Sequence, residues 1–317
     1  MDESAVKTVI QISDSHLPAR ENCLLRGVDV RAGLRSVLME IDRAIQAPEF
    51  FIHTGDLIQT EAPDDPVERS RLAREAYAGV KGALGAARGV VHCVPGNHDV
   101  REVMACALAD GALSMEKRIL AGEWQILMLD SSLSDAPGGH LSEPELEFLE
   151  AALSGDRRHA LVFMHHAPVS IGSGWLDTMV LDNARELFGI VERSSNVRGI
   201  VFGHIHQEFE SRWGKVALLG APSTGWQFVP GTAVPTLDPI GPGFRSFELR
   251  SDGSFSTRVH RCGRLGSKRA LGSATAAGRS AGRDVKGWAG TLGDVAQATG
   301  RAGTCARRLR GALGGAR

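Results

Sequence analysis

Five short segments carry side chains of the kind that hold metal ions: Asp14-Ser15-His16, Gly55-Asp56, Gly96-Asn97-His98-Asp99, His165-His166 and Gly203-His204-Ile205-His206. Imidazole nitrogens, carboxylates and an amide oxygen form a mixed donor set suited to first-row divalent cations. Two such ions a few ångströms apart can activate water and neutralise charge on phosphorus and on the departing oxygen, which is what hydrolysis of a phosphate ester demands. One carboxylate must bridge them, and Asp56, isolated after Gly55, is the choice. In Asp14-x-His16 and His204-x-His206 the expected backbone is extended, so that alternate residues face the same way and share one ion. Singly, each segment has a plainer explanation: an Asx turn at Asp14, a tight turn at Asn97, satisfied strand-end histidines at His204 and His206. Their company favours the metal reading.

These donors need elements to position them. Short apolar runs over 6–12, 50–54, 90–94, 124–129, 160–164, 197–202 and 216–219 predict strands. Most of the donor segments begin where one of these strands stops, the place where open α/β sheets gather their sites. Helical spacing over 33–45, 67–84, 143–153 and 179–191 alternates with the strands, so the class is α/β. Ser142 is a candidate cap with Pro144 in the first turn behind it, and Asp99 with Glu102 has the form of a capping box. Residues 244–249 and 255–260, with Gly253 between them, predict a closing hairpin.

The chain has 317 residues, 43% apolar and 23% charged, enough to bury a large core, and no run reaches the ~18 apolar residues of a membrane span. Its first residues are acidic where a signal peptide carries positive charge, so a cytoplasmic protein is expected. Five cysteines without a CxxC pair fit a reducing compartment and are each read as small buried hydrophobes. The net charge of −1 hides an uneven distribution: residues 264–317 hold eleven Lys/Arg and two Asp/Glu, leaving −10 on the rest. A domain over 1–262 is therefore expected, followed by a basic Gly/Ala/Arg-rich tail over 263–317, disordered or conditionally helical. A three-four stripe from Val285 to Leu313 favours helix on a surface; its glycines oppose an independent one. Solvated charge is the plain reading of the tail, and weak contact with an anionic membrane or nucleic acid the sharper one.

The ordered set DxH, GD, GNHD, a His after a strand and GHxH, spanning 10–206, resembles the calcineurin-like metallophosphoesterase family. Within it, Met164-His165-His166-Ala167-Pro168, Trp175-Leu176-Asp177, Phe202-Gly203-His204-Ile205-His206-Gln207 and Ala221-Pro222-Ser223-Thr224 are similar to the bacterial class III cyclic-nucleotide phosphodiesterases. Ala167 departs from the commoner His-His-Pro-Pro. The resemblance implies a four-layer α/β sandwich, two mixed sheets flanked by helices. It implies one metal on Asp14, His16, Asp56 and His206 and a second on Asp56, Asn97, His165 and His204, with iron or manganese favoured and zinc or cobalt as alternatives. His165 is preferred to His166 because it follows the strand directly. By the same resemblance His98 faces the substrate and protonates the departing 3' oxygen, while metal-bound hydroxide opens a 3',5'-cyclic nucleotide such as cyclic AMP to the 5' monophosphate. His16, Asp56, Asn97, His98 and His204 then contact substrate, with Trp175, Asp177 and Asn183 as further candidates; His140 is a candidate by its place in a Gly-rich loop. A broader phosphodiesterase acting on glycerophosphodiesters or other small esters shares the ligand set. A non-catalytic scaffold should have lost ligands or His98, and none is missing. The resemblance also implies a homodimer.

Overall fold

The computed structural model describes residues 6–60, 65–109, 113–134 and 136–263. The first half runs β1 (Lys7–Ile12), α1 (Val30–Ala44), β2 (Phe50–Thr54), α2 (Pro66–Leu84), β3 (Val91–Val94), α3 (Arg101–Ala107), β4 (Leu113–Ser114), β5 (Arg118–Ala121) and β6 (Trp124–Met128). Then follow α4 (Glu143–Gly155), β7 (His159–Met164), α5 (Ala184–Glu192), β8 (Val197–Phe202), β9 (Phe209–Trp213), β10 (Val216–Gly220), β11 (Gln227–Phe228), β12 (Leu237–Asp238), β13 (Gly243–Leu249) and β14 (Phe255–Arg261).

Two six-stranded sheets form, β14-β13-β1-β2-β3-β4 and β5-β6-β7-β8-β10-β9. Each is parallel in its middle and antiparallel towards an edge, so both are mixed. Strand alternation sorts the side chains: Val9 and Phe247 of the first sheet meet Leu161, Phe163 and Val201 of the second in a shared interior. Ile10 and Ile12 face the other way, against α1, α2 and α3, while Val162 and Met164 face α4 and α5. The layers are thus helix, sheet, sheet, helix, the four-layer sandwich that the resemblance implied. No described helix is long and apolar enough to cross a membrane.

Several expectations need correction. The first helix begins at Val30, capped by the Asp29 carboxylate, which accepts from Ala32 N. The last begins at Ala184, because Leu181 N and Asp182 N donate to Ala167 and Gly139 carbonyls and hold 181–182 in a loop; only Leu176–Thr178 makes a 3-10 turn there. Asp99 and Glu102 form no capping box: Val100 is the cap, without a side-chain bond, and the Asp99 carboxylate is used elsewhere. Ser142 caps with its carbonyl alone. Of the described cysteines only Cys93 is buried. β4, β5, β9, β11 and β12 escaped the sequence pattern; β9, whose middle is Glu210, Ser211 and Arg212, is an edge strand held by pairing with β10 rather than by its own burial. The predicted hairpin forms as β13 and β14, with Gly253 in the turn at φ +81°. The basic tail lies outside the described residues.

One glycine shows how α1 is tied to the site. A Cβ on Gly33 would lie 2.4 Å from the Thr224 carbonyl oxygen, so only glycine lets this helix approach the 223–225 loop. Gly82, exposed in α2, has open space around the corresponding position. Gly82→Ala should therefore stabilise the protein by up to about 1 kcal/mol through helix propensity, while Gly33→Ala, with the same propensity gain, should lower the thermal midpoint; parallel melts of the two variants check this.

Candidate metal centre

Five parallel strands deliver the predicted donors to one place. Asp14 and His16 follow β1, Asp56 follows β2, Asn97 follows β3, His165 follows β7, and His204 and His206 follow β8. The backbone that presents them is not extended. Asp14, His16, Asp56, His204 and His206 all have positive φ, between 46° and 66°. The expectation of an extended Asp-x-His pair is thus overturned. Left-handed residues turn the chain back after β1, β2 and β8, and the ladder Asp14 N to Gly55 O and His16 N to Asp56 O keeps the first two of these loops side by side. Non-glycine residues in this region carry strain of order 1–3 kcal/mol each, which surrounding structure must hold in place. Close packing does so: a Cβ on Gly96 would fall 2.2 Å from Asp56 Oδ1.

The donor atoms converge. Asp56 Oδ2 lies 3.5 Å from His16 Nε2 and 3.4 Å from His165 Nε2, so one oxygen is shared between the two expected ligand sets. Asp56 Oδ1 accepts from His98 N at 2.8 Å. Asp14 Oδ1 is 3.3 Å from His206 Nε2, and His165 Nε2 is 3.1 Å from Asn97 Oδ1 and 3.2 Å from His204 Nδ1. His166 Nδ1 turns to Ser131 Oγ at 2.8 Å, and its ring packs against those of His165 and His204. All seven expected ligands, and His98, are brought together; His98 stands beside His16 with ring centroids 4.9 Å apart.

Burial makes this cluster electrostatically demanding. Asp14, His165 and His166 are wholly buried. Burial alone would raise the Asp14 carboxyl, but the His206 charge and hydrogen bond outweigh it and hold it down to about 2; Asp56 is likewise held well below the usual range by His165 and His98. Burial pushes His16 and His204 down to about 3, and His53, beneath them against Ser15, down to about 4. His165 goes the other way: burial lowers it, yet Asp56 and Asp14 raise it to about 9.

Support comes from Gln59, Tyr77 and Trp226, which sequence reasoning missed, and from Asp99, which it read as a helix cap. Gln59 touches both His16 and His98. Asp99 accepts from Gly96 N, Leu57 N and the Tyr77 hydroxyl, tying the Asp56 and Asn97 loops to α2; burial and the Asp56 charge push it up to about 7. Trp226 stacks on His16 with centroids 4.7 Å apart, and its carbonyl accepts from His206 Nδ1. The available signals were the position of Gln59 three residues beyond Asp56 and a lone tyrosine on the apolar stripe of α2. By contrast, the further substrate-side candidates hold loops. Trp175 packs on Phe228, Asp177 accepts from Ser170 and Ile171, Asn183 braces Leu141, and His140 pairs with Asp182. A groove of about 470 Å³ lies near the opposite end of β7, and its Arg193 and Arg198 are already bound to Glu150 and to the Ser195 carbonyl.

The calcineurin-like phosphoesterase family model matches residues 7–208, all but the last strands of the sandwich. The chain belongs to this family. The 3',5'-cyclic adenosine monophosphate phosphodiesterase CpdA of Escherichia coli is 38% identical over 255 residues, 80% of this chain and 89% of the relative. The CpdA of Pseudomonas aeruginosa is 35% identical over the same shares. A dimetal phosphatase from Danio rerio shares the fold, with a TM-score of 0.61 at 15% identity over 82% of this chain and 98% of its own.

Membership in the calcineurin-like family, with these clustered donors, implies a dinuclear divalent-metal centre, and the chemistry of the rings fits one. His206 Nδ1 donates to the Trp226 carbonyl, and His165 Nδ1 to the Thr54 carbonyl. A carbonyl oxygen can only accept, so each neutral ring keeps its lone pair on Nε2. His16 Nδ1 likewise faces the Gln59 Oε1, and its Nε2 stands 3.1 Å from that of His206. Two lone pairs that close repel unless a cation lies between them.

The acid side of stability follows from these shifts. His16, His204 and His53 are depressed below 6.5, so the unfolded chain binds their protons first; the stability they carry is complete above about pH 6.5 and is lost as pH falls towards 3 to 4. Asp14, depressed to about 2, adds loss on the same side. Chelator-treated protein should melt at progressively lower temperature from about pH 7 down to about pH 4, and added Mn²⁺ at neutral pH should raise the midpoint by mass action.

Proposed function

We propose that this protein is a two-metal phosphodiesterase that hydrolyses 3',5'-cyclic nucleotides such as cyclic AMP to the 5' monophosphate. The observation that carries this reading is the convergence of Asp14, His16, Asp56, Asn97, His165, His204 and His206, with His98 alongside, in a chain whose relatives bear the cyclic-AMP phosphodiesterase name. Asp14, His16, Asp56 and His206 would hold one ion, and Asp56, Asn97, His165 and His204 the other; the Asp56 oxygen close to both His16 and His165 supports its shared role. Bound there, the ions supply activation of water and neutralisation of charge at phosphorus. Iron or manganese is our choice for them.

The protein's own groups do the rest. The carboxylates and imidazoles fix where the ester's phosphate can sit, His16, Asp56, Asn97, His98 and His204 being the residues nearest it. His98 is only partly buried, and its Nδ1 is engaged by Gln59. Its Nε2 is the nitrogen left for the leaving 3' oxygen, to which it gives a proton as the bond to phosphorus breaks. A cytoplasmic homodimer, a domain ending near residue 262 and a basic tail touching anionic surfaces extend this proposal from sequence alone.

Purified protein with added Mn²⁺ should turn over both cyclic AMP and bis-p-nitrophenyl phosphate, and Asn97→Ala should abolish both. Activity on the artificial diester alone would retain the metal site and overturn cyclic AMP as substrate, leaving a broader phosphodiesterase. His98→Ala should keep its metal content while losing about 10²- to 10⁴-fold in kcat on cyclic AMP; metal analysis beside the assay checks it.

A further inference from the structure

Gln59 sits on the loop after β2, three residues beyond Asp56, and its amide lies between two imidazoles. Its Oε1 is 3.1 Å from His16 Nδ1, and its Nε2 is 3.1 Å from His98 Nδ1. An amide has one end that only accepts and one that only donates. The same kind of nitrogen on two rings therefore meets opposite partners. Whichever way the amide is turned, one ring must carry its proton on Nδ1 and the other on Nε2.

The surroundings fix the direction. Read as a metal ligand, His16 turns its Nε2 into the cluster, 3.1 Å from His206 Nε2 and 3.5 Å from Asp56 Oδ2, and must keep a lone pair there for the cation, so its proton belongs on Nδ1, against the amide oxygen. The amide NH₂ is then left for His98, whose Nδ1 must accept and whose Nε2 must hold the proton. This matters because His98 lies close enough to His16 and Asp56 to be a ligand by distance alone. With a proton on Nε2 it has no lone pair there to offer a cation and one proton to give a leaving oxygen. The Thr60 hydroxyl donating to the His98 carbonyl, and Asp56 accepting from its N–H, hold the residue in place beneath the ring.

We infer that Gln59 is a positioning residue that sets opposite tautomers in His16 and His98, making one a metal ligand and the other a proton donor. The inference rests on the two-metal reading for those roles and for the direction of the pair; that the two tautomers are opposite does not. A carboxylate at position 59 would accept from both rings and drive both to the Nδ1–H form, removing the donor from His98.

The test uses the full chain labelled with ¹⁵N-histidine and loaded with diamagnetic Zn²⁺, at about pH 8 so that ordinary imidazoles are neutral. Ring nitrogen shifts, assigned with His98→Gln and His16→Gln, should show His98 protonated on Nε2 and His16 on Nδ1. In Gln59→Glu, His98 should change to the Nδ1–H form. Finding the two wild-type rings in the same form, or His98 unmoved in Gln59→Glu, would overturn the inference. A kinetic arm separates it from a merely structural role. Gln59→Glu and Gln59→Leu, loaded to wild-type metal content, should lose about 10²-fold on a diester with an alkoxide leaving group, yet change little on bis-p-nitrophenyl phosphate, whose leaving group needs no proton. Equal losses on both would sink the proton-donor assignment. Failure of cyclic AMP as a substrate would leave the spectra untouched, so the two readings fail separately.

Discussion

Two buried carboxylates and a ring of imidazole lone pairs face one another at the ends of strands from two different sheets, and the structure around them is arranged to hold that unfavourable convergence. Asp14 and Asp56 are both almost wholly out of water. Without cations, such groups would shift their protons or separate. They cannot separate, because the loops carrying them are bonded to one another: Asp14 takes the His204 N–H, His165 donates to the Thr54 carbonyl, and Gly203 N donates to the His165 carbonyl. The seam between the sheets and the metal centre are built from the same hydrogen bonds.

The sandwich explains how this is rigid. Along β1, Val9 enters the interior between the sheets while Ile10 and Ile12 pack under the helices. Gln11, on the inner face nearest the site, donates to Thr54 Oγ1 and to the Phe202 carbonyl across the seam. The apolar interior thus gives way to a polar, hydrogen-bonded layer just before the donors begin. The left-handed residues after β1, β2 and β8 need such a base, since each is strained and each lies within a turn of a bond to a neighbouring loop.

Support from outside the donor loops is asymmetric in kind. Carbonyl oxygens fix His165 and His206, whereas His16 and His98 share a side-chain amide. Asp99, which the sequence pattern made a helix cap, instead collects backbone N–H groups from two donor loops and the Tyr77 hydroxyl from α2. A carboxylate in a turn can satisfy local or distant donors equally well, and only packing decides which.

The sequence by itself determined which His, Asp and Asn side chains gather at strand ends, the strands that carry them and the α/β class, because such residues just past an apolar run are a local signal and apolar alternation within a strand is another. It also located the closing hairpin. Tertiary structure alone decided the rest. The left-handed backbone of Asp14 and His16 is imposed by the neighbouring Asp56 loop, not by the residues themselves. Edge strand β9 has no apolar pattern to read, since its pairing with β10 supplies what burial does not. Gln59, Tyr77 and Trp226 act through atoms that meet only when α2, the β2 loop and the segment before β11 are folded onto the same site. Their roles are relations between distant residues, and no local pattern of residue types encodes such a relation.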